Sequence, residues 1–132
     1  MKNKKGFTLI ELMFVVVIIG VLALMGLRLY STQLDKSKNA IVKANAGTVQ
    51  TLIQAELTDR DFTLEEVVDY ISTEAGLHNP FNGAAMNNAG DFPNEDTNLA
   101  PGKIKITLSD GVFSIQGYGD DGLFPNILTA RK

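Results

Sequence analysis

The apolar positions along the chain follow three successive rhythms, and each predicts a different kind of structure. From Phe7 to Leu27 they run almost without a break, 21 residues in which Glu11 is the only charge. As an α-helix that stretch is about 31 Å long, close to the thickness of a bilayer's hydrocarbon core. Beyond it, Leu34, Ile41, Val42, Ala46, Val49, Leu52, Ile53 and Leu57 fall on one helical stripe, with Lys36, Lys38, Lys43, Gln50 and Gln54 between them. That is the pattern of an amphipathic helix with one face to bury. No proline separates the two patterns, so they predict a single helix over 7–58, with 7–27 crossing a membrane and the remainder packing on the rest of the chain. Gly20, Gly26 and Gly47 each weaken it by about 1 kcal/mol relative to alanine. Gly20 and Gly26 read either as sites of close helix packing or as points where the helix stretches or melts.

The rhythm breaks at Thr58-Asp59-Arg60-Asp61 and restarts with Thr63-Leu-Glu-Glu66, the spacing of a reciprocal helix cap. Leu64, Val67, Val68, Ile71 and Ala75 mark the apolar face of a short second helix that Gly76 ends. A long Asn-, Gly- and Pro-rich loop follows to Gly102, with Phe81, Phe92 and Leu99 as the side chains able to pin it. The third rhythm is strict alternation. In "KIKITLS", Ile104, Ile106 and Leu108 share one face; Asp110-Gly111 is a two-residue turn; "VFSIQGY" returns with Phe113 and Ile115 inward. "LFPNIL", residues 123–128, adds an edge strand, a position Pro125 permits. The fold class is therefore α+β: a long transmembrane-plus-amphipathic helix packed on a short helix and a small antiparallel sheet. The expected divisions are a leader at 1–6, the long helix at 7–58 and a small head at 59–132.

Composition narrows the functions available. The 132 residues carry a net charge of −3, unevenly spread. Lys2, Lys4 and Lys5 precede the apolar run, whereas beyond residue 58 five basic residues face twelve acidic ones. An acidic head is a poor surface for phosphate, so nucleic acid is not indicated as a partner. With no cysteine there is no disulfide, Cys-based metal site or thiol nucleophile. His78 is the only histidine and is expected to be a loop residue. Nothing has the pattern of a catalytic triad or phosphate loop, so the chain is read as a non-enzyme without cofactor.

Glu11 decides between two readings of the N-terminus. A lysine-rich start before an apolar run also fits a secretory signal peptide, with Val21-Leu22-Ala23 as its cleavage site and Leu24 as the first mature residue. A carboxylate inside the apolar run counts against that, because a charge in hydrocarbon is costly and is kept for a function.

The stretch "KKGFTLIEL", with a basic leader ending in Gly6 and then Phe7, Thr8, Leu9, Ile10 and Glu11, resembles the processing site of the type IV pilin family. That family includes the pilins themselves and the pseudopilins of type II secretion and competence systems. The resemblance implies that a membrane prepilin peptidase cuts between Gly6 and Phe7 and methylates the new amine of Phe7. It implies that Glu11 pairs with the Phe7 amine of a neighbouring subunit and so sets the register of a filament. Phe7 and Glu11, four residues apart, would then share one helix face. Many family members have a proline where this chain has Arg28, so a helix without that kink is expected. Some pseudopilins bind calcium near the C-terminus, and Asp120 and Asp121 in "GYGDDG" are weak candidates beside the plainer reading of a solvated turn. Phe7, Phe14 and Tyr30 are read as packing groups rather than a conducting stack.

The resemblance implies a single-pass membrane protein with a cytoplasmic N-terminus that leaves the lipid to join a helical homopolymer. Its partners would be its own copies, the peptidase, and an inner-membrane assembly platform with its ATPase. The principal reading is the major subunit of a surface pilus, and the alternative is the major subunit of a periplasmic pseudopilus. A secreted or membrane-anchored binding domain is the remaining alternative.

Overall fold

A computed structural model describes residues 5–132; Lys2 and Lys4 of the leader lie outside the described residues. The chain divides into two compact units, Met1–Asp35 and Lys36–Lys132. One helix, α1 (Leu9–Asp59), contributes to both. Within the first unit α1 passes Gly20, Gly26 and Arg28 without interruption, and every large apolar side chain from Phe7 to Tyr30 is exposed.

The second unit is the expected α+β arrangement. Here α1 buries Val42, Ala46, Val49, Ile53 and Leu57, a stripe stepping by three and four residues. Leu34 and Ile41 depart from the predicted stripe, with 40% and 44% of their surface exposed. At about 100° per residue they fall to one side of the buried row, which is centred further round the helix.

Helix α2 (Leu64–Glu74) begins where the spacing predicts. The Thr63 amide donates to Glu66 Oε2 at 2.9 Å, and the Glu66 amide donates to Thr63 Oγ1 at 3.4 Å. Its apolar face, Val67, Val68 and Ile71, is buried in one cluster with Val49, Ile53 and Leu57. The sheet completes that cluster through Ile104, Ile106, Phe113, Ile115 and Ala130.

Strands β1 (Ile104–Ser109) and β2 (Val112–Gly119) form the predicted hairpin, with Ile106 opposite Ile115. Both turn residues have positive φ, Asp110 at 51° and Gly111 at 76°, matching the right-handed twist of the flanking strands. The predicted edge strand over 123–128 is instead two short ones, β3 (Gly122–Leu123) and β4 (Leu128–Ala130), both paired with β2. Pro125 lies between them. It has no amide hydrogen to give a ladder, so the edge opens there and closes again three residues later. The outer edge of β4 is held by α1: Gln50 Nε2 donates to the Thr129 carbonyl at 2.8 Å, and Gln54 donates to the Arg131 carbonyl at 2.7 Å while accepting its amide at 3.2 Å.

The long loop is pinned more by a polar side chain than by aromatic ones. Phe92 is in the core as expected, and Phe81 and Leu99 are half-buried. The centre is Asn79, only 6% exposed, whose Nδ2 donates to the Pro101 carbonyl at 2.9 Å and whose Oδ1 accepts the Phe81 amide at 2.8 Å. Its backbone also bonds to Ala84 and Gly83, so every polar group of this buried residue is engaged. Gly102 packs directly on it: φ is +91°, and a Cβ there would stand 1.9 Å from Asn79 Oδ1.

Gly102→Ala should therefore destabilise the head by about 2–3 kcal/mol, through both the backbone conformation and the displaced amide. Thermal melts of the full chain in detergent test this. A second expectation concerns acid. The Thr63 amide and hydroxyl, and to a smaller extent the charge of Arg60, hold the Glu66 carboxyl below its ordinary value of 4.5. A carboxylate with a lowered folded-state pKa stabilises fully above its unfolded value, and that contribution disappears as pH falls through the folded value. The melting difference between the parent chain and Glu66→Gln should therefore be constant above about pH 5 and shrink below pH 4.

Candidate functional site

The candidate site is the N-terminal end of α1, the place where the one charge of the apolar run meets unpaired backbone amides. The first amides of any helix lack intrahelical partners, and they attract an oxygen. In this chain Thr8 and Glu11 supply it reciprocally. The Thr8 amide donates to Glu11 Oε2 at 3.0 Å, and the Glu11 amide donates to Thr8 Oγ1 at 3.3 Å. The Leu12 amide then closes the first turn on the Thr8 carbonyl at 3.3 Å. This is the same device that starts α2, built from the same T-x-x-E spacing. The spacing predicts the cap at Thr63; at Thr8, where the same spacing is present, it was not expected and the structure reveals it.

This geometry corrects the expected start of the helix. Thr8 takes the cap position, α1 begins at Leu9, and Gly6 and Phe7 stand before it outside any regular element. Phe7 and Glu11 consequently do not share a helix face by period. What the structure brings together with the Glu11 carboxylate is the Thr8 amide. Gly6 and Phe7 are exposed, with Phe7 at 88%.

The remaining predicted positions lie elsewhere. Gly20 and Gly26 are helical, and a Cβ at either would meet nothing within 4 Å, so no contact inside the chain demands a glycine. Asp120 and Asp121 occupy the turn between β2 and β3, with both residues exposed and the Asp120 amide bonded to Asn39 Oδ1 at 3.0 Å. Among the described residues no three His, Asp or Glu gather as metal ligands. His78 lies in the loop, its carbonyl accepting from Asn45 Nδ2 at 3.0 Å.

Comparison with known proteins bears on this same end. A family described as the prokaryotic N-terminal methylation motif matches residues 1–27, the stretch that contains the cap and the exposed apolar run. The chain is 37% identical over 87 residues to a "Probable minor fimbrial protein" of Dichelobacter nodosus, covering 66% of this chain and 55% of the relative. It is 42% identical over 57 residues to the "Type IV major alpha-pilin" of Moraxella bovis, covering 43% of this chain and 36% of the relative.

Over these stretches the chain is similar to type IV pilins.

A "Type IV major fimbrial protein FimA" of Dichelobacter nodosus is also similar, 43% identical over 56 residues, covering 42% of this chain and 36% of the relative. The chain thus spans about half the length of one of these pilin relatives and about a third of the other two. No solved structure matches it.

Loss of the cap in this chain should be local and measurable. Thr8→Ala is expected to weaken the first turn of α1 by about 1 kcal/mol, roughly a fivefold loss of amide protection at Glu11 and Leu12. Hydrogen exchange of the full chain in micelles reads this directly, with protection in α2 unchanged.

Proposed function

We propose that this chain is the structural subunit of a type IV pilus, working as a major pilin rather than as a catalyst. The observation that carries the reading is a 21-residue apolar run, helical from Leu9, with every large side chain exposed and one carboxylate near its start. Such a run needs lipid or other copies of itself around it. In this reading the subunit waits in the membrane as a single-pass protein with its N-terminus in the cytoplasm. A prepilin peptidase removes residues 1–6, cutting between Gly6 and Phe7, and methylates the Phe7 amine. Glycine before the cut leaves the peptide bond open to the enzyme.

Assembly then transfers the apolar run from lipid to a bundle of like helices. Glu11 pairs there with the Phe7 amine of a neighbour, and a subunit docked at the wrong height leaves both charges unsatisfied. Gly20 and Gly26 give the bundle its extensible positions, because they are the least helix-favouring residues of the run. An assembly platform and its ATPase drive the exchange. The acidic heads face outward, on a surface filament serving motility, adhesion or DNA uptake.

Intact mass and N-terminal sequencing of protein sheared from the cell surface test the reading. The expected chain begins at Phe7 and carries one added methyl group. A chain beginning at Leu24, or one still carrying Met1, overturns it.

A further inference from the structure

Two surfaces of the second unit lack partners of their own kind within the chain, and each has what the other needs. The first is a cleft of about 590 Å³ between α2 and the loop at 87–98. Val68 and Phe92 line its floor, and the exposed carboxylates Glu65, Asp69 and Glu95 line its rim. Among the described residues the ion pairs are Lys105 with Asp96 and Lys132 with Asp61, so none of these three is neutralised. The second surface is the side of α1 that carries Lys38 and Ile41, three residues apart and therefore neighbours on one helix face. Ile41 is 44% exposed. The Lys38 ammonium rests 5.5 Å from the centre of the Phe81 ring and meets no carboxylate among the described residues.

Neither Lys38 nor Ile41 lines the cleft of its own chain. The α2 side of that cleft shares a cluster with Leu57 near the end of α1, and about 28 Å of helix axis separates Leu57 from Lys38. Two unlike but matching patches at separate levels of one molecule make a heterologous contact. When the rotation between copies does not close a ring, such a contact propagates as an open helix.

We propose that the Lys38–Ile41 face of α1 in one copy docks in the acidic cleft of the next copy. The ammonium enters the carboxylate rim, and Ile41 covers the apolar floor. The proposal rests on the filament reading and adds to it a contact between heads. It makes head packing sensitive to salt, because the charges at the rim of the cleft are in water.

The absence of native cysteine allows a direct test in whole filaments. Chains bearing Ile41→Cys and chains bearing Ser72→Cys, the latter in the wall of the cleft, are co-expressed, and sheared filaments are oxidised. The expected product is the mixed dimer, identified by the mass of its linked peptides, in excess over either homodimer. In parallel, Lys38→Glu should lower filament yield about tenfold, the effect of losing one coupled charge pair, and Asp69→Lys in the same chain should restore it. Filaments that form but give only homodimers or no cross-link overturn the docking and leave the pilin reading standing. So does a Lys38→Glu yield equal to the parent's. If the unaltered chain is never found in filaments, the pilin reading falls and the docking falls with it.

Discussion

The N-terminal half of α1 depends on a carboxylate that begins an apolar helix. Glu11 is the one charge in a run that water would reject and lipid would accept, and a charge left bare in lipid is the least tolerable state open to it. The fold answers with the nearest available donors. Glu11 and Thr8 engage each other's amides, so the carboxylate neutralises part of the helix's own positive end. That satisfies local polarity and leaves the apolar surface of the run unsatisfied, as the proposed exchange of one apolar environment for another would require. In the proposed filament the neighbour's amine would compete with the Thr8 amide for the same oxygen. Register would then be set by the difference between two good partners rather than by rescue of an isolated charge.

The head obeys more ordinary rules. One stripe of α1 meets α2 and a four-stranded sheet, and that cluster contains aliphatic residues, Phe and Met but no buried charge. Lysines on the two flanks of the stripe lie over aromatic rings instead of pairing with acids: Lys38 over Phe81, and Lys43 over Phe124 at 4.9 Å. Such contacts are worth about 0.5–1 kcal/mol at exposed sites and leave the cation's charge uncancelled. The acidic surplus beyond residue 58 is likewise mostly in water. The charges of the two regions therefore remain available between molecules.

Much of this was legible in the residues because the signals were local. The T-x-x-E spacing at Thr63, the Asp110-Gly111 turn and the alternation of Ile104 and Ile106 each fix their geometry within a few residues. What escaped was set by partners distant in sequence. Asn79 looked like one turn residue among several, and its burial depends on Pro101 and Gly102 arriving beside it. Met86 is 2% exposed and gave no pattern at all, since a single apolar residue in a loop has no period. The composition of 123–128 suits one edge strand, whereas the missing amide of Pro125 divides it. The cap at Thr8 is different in kind: the spacing was present, but the residue that completes it already had a more conspicuous role.

The glutamine clasp on β4 has a consequence for the proposed filament, in which copies would crowd together. An unpaired strand edge is a template for another strand, and heads held side by side would present such edges at very high local concentration. Gln54 offers the Arg131 backbone a carbonyl and an amide, as a neighbouring strand would, and Gln50 offers a second donor one step along. Two side chains from the helix thus occupy the last seat in the sheet. In the proposed filament the polymer would be left to grow through its helices, and the shortcut to an irreversible β-aggregate would be closed by the element that carries the assembly.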